Sequence, residues 1–254
     1  MQLKNNIQNK LADKDILLMT HIVLGYPSFE INRMVIAQMV ENGVDLIEMQ
    51  IPFSEPVADG SMILKANQDS IDSGVTIRQC IDFAAEMTAK HQIPFLFMTY
   101  YNILFQYGVE DFFKKSKAIG ITGFIVPDLP PEEGGEYLAF ARKYNIAPIQ
   151  IFAPTSTDQR MKELATHADG FIYCVARRGV TGKKTSLDDN FDSYLARCRK
   201  ATDLPLAVGF GISSKADVAM LTGKADIAVI GTATIKLVDG QGPEAVGPFI
   251  AGLR

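Results

Sequence analysis

Short runs rich in Val, Ile, Leu and Phe recur along the chain, and most are followed by a stretch whose apolar positions return every three to four residues. The runs are LLMTHIVLG, DLIEMQIP, PFLFMTYY, ITGFIVPD, APIQIFAP, GFIYCVA, PLAVGFG and IAVIGTA, which predict eight strands. Helices are predicted over residues 28–42, 76–91, 109–119, 131–144, 157–168, 188–201 and 213–222, many opening on a Ser, Thr or Asp able to cap an N-terminus. Alternation of eight strands with helices is the pattern of a (β/α)₈ TIM barrel, with a doubly wound parallel sheet as the competing arrangement. Strands recur at intervals of about 25 residues, except after the second and the sixth. The excess falls in residues 52–75 and 177–190, and these are expected to be extended loops at the mouth of the barrel, where strand C-termini carry active sites.

Composition narrows the picture. With 254 residues and 47% hydrophobic content the chain can build one sizeable core, and no linker or low-complexity segment divides it, so a single domain over residues 1–254 is expected. A net charge of −4 supplies no positive field for nucleic acid or anionic lipid. The polar start, MQLKNNIQNKLADKD, lacks the apolar centre of a signal peptide, and no apolar stretch is long enough to span a membrane. Cys80, Cys174 and Cys198 are odd in number and widely spaced, which argues against disulfides and fits a reducing cytoplasm.

The candidate chemistry begins in LIEMQIPFSEPVADG, residues 46–60. Alternation along a strand puts Ile47, Met49 and Ile51 on one face and Leu46, Glu48 and Gln50 on the other. With the first face against the helices, Glu48 points into the barrel near its mouth, where a low dielectric disfavours the charged form and suits a group that both gives and takes a proton. No Lys or Arg lies in a strand core to pair with it, so Glu48 is expected to be free of a cationic partner. Asp59, in the long loop beside it, is expected to be wetter and to stay ionised, which divides acid and base roles between the two carboxylates. Glu55 is expected to face solvent or a partner.

Gly211 and Gly231 end strands 7 and 8 just ahead of predicted helices, the usual barrel site for a phosphate held by backbone amides. Gly209-Phe210-Gly211 lacks the third glycine of a dinucleotide fingerprint, which disfavours a nicotinamide cofactor. Schiff-base chemistry lacks a strand lysine, metal chemistry lacks clustered ligands because His21, His91 and His167 are scattered, and serine hydrolysis lacks its elbow motif. Metal-free proton transfer by carboxylates on a phosphorylated substrate remains. Tyr173 can assist that transfer or simply pack, and Met98, Tyr100, Ile151 and Phe210, at strand ends, can wall a pocket for a flat ring or serve as core.

IPFSEPVADG, MTYYN, VPDLPPEE, APTSTD, RRGVTG and GFGIS occur in the order found in the tryptophan synthase alpha subunit family, which the chain resembles over nearly its whole length. The resemblance implies a (β/α)₈ barrel that cleaves indole-3-glycerol phosphate to indole and glyceraldehyde 3-phosphate by a retro-aldol reaction. It implies no cofactor in this chain, pyridoxal phosphate belonging to a β subunit that joins it in an α₂β₂ complex. By motif, Glu48 matches the acid/base, Asp59 the carboxylate that holds the ring N–H, and Tyr173 the tyrosine supporting the glutamate. Gly182, Gly211, Gly231 and Thr232 match the phosphate surroundings, and Tyr100, Ile151 and Phe210 the ring pocket. Residues 177–190 match a closing lid in which Thr181 contacts Asp59.

Five positions depart from the family pattern: Gln50 stands where Gly is usual, His21 where an aromatic residue is common, Val23 where Thr is common, Glu55 for Asp and Ile103 for Pro. They leave two alternatives to the coupled enzyme: a stand-alone lyase that releases free indole, and a barrel serving mainly to activate a β partner, its own catalysis impaired by Gln50.

Overall fold

In the computed structural model, which describes residues 2–175, 189–209 and 211–254, eight parallel strands close on themselves in chain order. They are β1 Leu17–Val23, β2 Leu46–Gln50, β3 Phe95–Met98, β4 Gly123–Ile125, β5 Ala147–Phe152, β6 Ile172–Val175, β7 Leu206–Gly209 and β8 Ile227–Ile230. Each falls inside one of the apolar runs read from the sequence. Closure between β8 and β1, with Leu17 opposite Ile227 and Thr20 opposite Ile230, excludes the doubly wound sheet, whose edges stay open.

Around the strands lie α1 Gln2–Leu11, α2 Phe29–Glu41, α3 Ser61–Asp72, α4 Ile77–Lys90, α5 Tyr101–Tyr107 and α6 Val109–Ala118. They continue as α7 Gly135–Tyr144, α8 Asp158–Thr166, α9 Asp189–Ala201, α10 Lys215–Leu221, α11 Thr232–Gln241 and α12 Val246–Ala251. The capping expectation holds at several N-termini: Ser28, Thr76, Thr157 and Ser214 each accept a hydrogen bond from a first-turn amide, and Thr76 with Gln79 forms a full capping box.

The expectation of an irregular loop over residues 52–75 is corrected. Its second half is α3, whose buried face carries Ala66, Asn67 and Ser70. Two of those three are polar and therefore hide the helical period. They are buried because they bond backbone: Asn67 Oδ1 accepts from the Phe53 amide at 3.2 Å, and the Ser70 hydroxyl donates to the Leu24 carbonyl at 2.7 Å.

Two apolar regions result from the strand alternation. Side chains facing outward, such as Leu18, Ile22, Ile47, Met49, Phe97 and Phe124, meet the helices in the larger core. Those facing inward, among them Leu17, Met19, Leu46, Leu96, Ile149, Phe171, Ile227 and Val229, fill the barrel interior. Leu3 and Ile7 of α1 join the interior cluster and plug the bottom. Gly170 makes room for that plug, since its φ of +78° suits glycine and a Cβ there would lie 2.8 Å from Leu3. Asp45, 1% exposed, fastens the same end by accepting from the Leu18 amide at 3.0 Å and pairing with Lys14 and Arg254. With the bottom sealed, the remaining opening is at the strand C-termini. Among the described residues no helix is long and apolar enough to cross a membrane.

Candidate active site

The opening leads into a cavity of about 470 Å³ lined from all eight strands and the turns that follow several of them. His21, Glu48, Met98, Ile125, Ile151, Tyr173, Val175, Gly209 and Val229 form its walls, and Asp59, Gly211, Gly231 and Thr232 border its rim. Glu48 therefore points inward at the mouth, as its alternation with Ile47 and Met49 requires, and is 3% exposed. Asp59 is half-buried in the loop after β2, and Glu55 is exposed.

The expectation of an unpaired glutamate is corrected. His21 faces Glu48 in the β1–β2 register, and its Nδ1 lies 2.9 Å from Glu48 Oε1. Burial alone would lower the imidazole pKa, but the hydrogen bond and charge of Glu48, followed by the charge of Asp59 and the Gln50 amide, raise it above the ordinary histidine value. Nδ1–H is thus the donor and Glu48 Oε1 the acceptor. The pair lies at the cavity wall rather than away from the opening. The strand cores hold no Lys or Arg, and the partner is a histidine. The available signal was that His21 is the third inward residue of β1, after Leu17 and Met19, and so stands level with Glu48.

Asp59 is held at one oxygen. Gln50 Nε2 donates to Oδ2 at 2.6 Å, and the Asn67 amide and Tyr100 hydroxyl reach the same oxygen at 3.4 and 3.5 Å. Gln50, fully buried, thus reaches the loop carboxylate with its amide. Tyr100 stands behind Asp59 instead of lining the cavity: its ring stacks on Phe53 at 4.8 Å and its hydroxyl accepts from the Ala58 amide at 3.3 Å. Burial first and the Asp59 charge second hold that hydroxyl protonated far above neutral pH. Asn67 and Gln50 were not identified from sequence as supports of Asp59, because each contact joins elements whose relative placement only the folded barrel defines.

Tyr173 lies on the opposite wall. Its pKa is raised well above the usual phenol value by burial and then by the charges of Glu48 and Asp59, so it remains a neutral hydroxyl facing the carboxylates. Gly209 gives it space, since a Cβ there would lie 3.0 Å from the Tyr173 hydroxyl. Gly211 has φ +84°, a conformation that favours glycine. Gly231 is the N-cap of α11, with no side chain capping the first turn, and Thr232 opens the helix. These amides meet the cavity at an end that favours an anion. Thr181, Gly182 and Phe210 lie outside the described residues, as does most of the expected lid over 177–190.

The site can therefore pair a dry glutamate with a wetter aspartate, beside an apolar chamber and a bare helix N-terminus. The family profile described as tryptophan synthase alpha chain matches residues 7–246. The tryptophan synthase alpha chain of Desulfotalea psychrophila is 68% identical over 254 residues, covering all of both chains. Tryptophan synthase from Mycobacterium tuberculosis superposes with a TM-score of 0.91 at 28% identity, covering 99% of this chain and 96% of that one. The tryptophan synthase complex from Pyrococcus furiosus gives 0.84 at 28% identity, over 93% of this chain and 97% of the other. Fold, matched length and identity agree: this chain belongs to the tryptophan synthase alpha chain family.

Proposed function

We infer that the protein is a lyase of tryptophan biosynthesis that cleaves indole-3-glycerol phosphate to indole and glyceraldehyde 3-phosphate. The observation that carries this reading is the pair of unlike carboxylates, Glu48 and Asp59, bordering one cavity of about 470 Å³. Its size and mixed walls suit a bicyclic ring attached to a phosphorylated three-carbon chain. The ring packs against Met98, Ile125 and Ile151, and the phosphate meets the amides around Gly211, Gly231 and Thr232.

Cleavage needs the ring to become an electron sink. Glu48 delivers a proton to ring carbon 3, and the positive charge this creates is shared with the ring nitrogen, whose N–H faces Asp59. Glu48, now ionised, accepts the proton of the hydroxyl on the adjacent side-chain carbon. As that hydroxyl becomes an aldehyde, the electron pair of the carbon–carbon bond flows into the ring and restores aromaticity. One proton enters and one returns, so Glu48 is regenerated at each turnover. Tyr173, a neutral hydroxyl opposite, steadies the glutamate while its charge changes.

No cofactor is needed for these steps in this chain, and pyridoxal phosphate belongs to the β subunit that consumes indole in an α₂β₂ assembly. A cytoplasmic setting is supported by Cys80, Cys174 and Cys198, all buried as free thiols. The test is indole release from indole-3-glycerol phosphate by the purified chain, with and without a tryptophan synthase β subunit. Release that rises markedly with the partner is expected; no release under either condition would overturn the assignment.

A further inference from the structure

The glutamate and its histidine form a contact that the cleavage scheme above does not use. Both residues are 3% exposed and stand at paired positions of β1 and β2. Nδ1 of His21 holds Oε1 of Glu48 at 2.9 Å, while Oε2 has no hydrogen-bond partner among the described residues. The Thr234 hydroxyl, in the first turn of α11, lies 3.4 Å from the His21 backbone carbonyl and donates at 2.7 Å to the Gly231 carbonyl, while His21 Nε2 is buried with no hydrogen-bond partner among the described residues, so the bond to Glu48 is what orients the ring. A glutamate carboxylate, free to turn about its last side-chain bond, would otherwise present either oxygen to the cavity.

We propose that His21 is a positioning residue for the reaction: by donating from Nδ1 to Oε1, it leaves Oε2 as the oxygen that passes the proton to and from the substrate. The proposal rests on the reading of the reaction given above. Proton transfer requires donor and acceptor at hydrogen-bond distance in a fixed orientation, and a carboxylate tied at one oxygen loses the rotations that would spoil it. The tie also suits a group that alternates between charged and neutral forms, since Nδ1–H can donate to Oε1 both when the carboxylate is ionised and when Oε2 carries the proton. Glu48 and Gln50 from β2 and Asp59 from the following loop are the polar groups that act on the ring.

The experiment compares His21→Leu and His21→Asn with the wild type in steady-state indole release, at saturating β subunit. Asn keeps an N–H near the place of Nδ1, whereas Leu keeps bulk alone. Loss of one hydrogen bond to a charged group predicts that kcat falls by about 10- to 100-fold in His21→Leu, with KM changed less than about threefold, and that His21→Asn recovers most of the rate. Wild-type kcat in His21→Leu would overturn the proposal, as would a loss in His21→Asn as deep as in His21→Leu, or a rise in KM at unchanged kcat. Should His21→Leu not fold, His21→Phe takes its place with the same expectation. Wild type and Glu48→Gln run in parallel separate the two levels of inference. An inactive wild type removes the reaction itself, whereas an active wild type, an inactive Glu48→Gln and an unaffected His21→Leu remove only the role of His21.

Discussion

Replacing Gln50 by Leu should separate catalysis from stability. The two side chains are similar in size, and Gln50 is fully buried, so the change alters polarity with little change in volume. In the folded protein the amide nitrogen makes one short bond, 2.6 Å to Asp59 Oδ2, while the amide oxygen Oε1 is buried with no partner. Losing a hydrogen bond to a charged group costs about 1.5–3 kcal/mol, and removing an orphaned buried oxygen returns about 1–3 kcal/mol. The two nearly cancel, so net stability should stay within about 1 kcal/mol of the wild type. Activity has no such compensation. Asp59 would keep only the longer contacts to Asn67 and Tyr100, at 3.4 and 3.5 Å, and the loop carboxylate would no longer be held opposite the ring nitrogen. Loss of its positioned charge in the transition state should lower kcat/KM by about 10- to 100-fold. Urea unfolding and indole release on the same preparation make the comparison. Unchanged kcat/KM, or a fall in activity matched by a collapse of the unfolding midpoint, would refute the role given to Gln50. A gain in activity would mean instead that Gln50 impairs the site, as its departure from the family's glycine allows.

Two further outcomes concern stability. His21 is raised above its unfolded pKa of about 6.5: burial opposes protonation, and the Glu48 bond and charge outweigh it. The folded state therefore holds this proton more tightly than the unfolded chain. Its contribution is fully present below about pH 6.5 and is lost as pH rises through the folded value, so the urea midpoint of the wild type relative to His21→Asn should shrink as pH is raised above about 6.5. At the barrel base, Asp45→Asn should cost about 2–3 kcal/mol in urea unfolding, a figure reduced from that of a fully buried pair because Lys14 and Arg254 are 37% and 32% exposed. Indole release by the folded fraction should be unchanged, the base being remote from the mouth.

Much of the barrel was legible because its strands are buried on both faces and so read as unbroken apolar runs, and because helices such as α2, α4 and α8 carry an apolar stripe behind a Ser or Thr cap. α3 was hidden by the same chemistry that makes it useful: Asn67 and Ser70 occupy its buried face and serve the backbone and the site. α1 was hidden because only Leu3 and Ile7 in its polar sequence are buried, which is enough to plug a barrel but too sparse to read as a stripe. At the site, Glu48, Asp59, Tyr173, Ile151, Gly211, Gly231 and Thr232 do converge on one cavity. Their direct partners were not legible. His21 meets Glu48, and Gln50 meets Asp59, through strand register and loop return, and neither is expressed in local residue spacing.

The central claim is that Glu48 carries the proton in both directions. Glu48→Gln keeps the shape of the side chain and an acceptor for His21 but cannot exchange a proton. Indole release at saturating substrate and β subunit should fall by about 10²- to 10⁴-fold, with substrate still bound and the variant folded. A folded Glu48→Gln protein that releases indole near the wild-type rate would contradict the account.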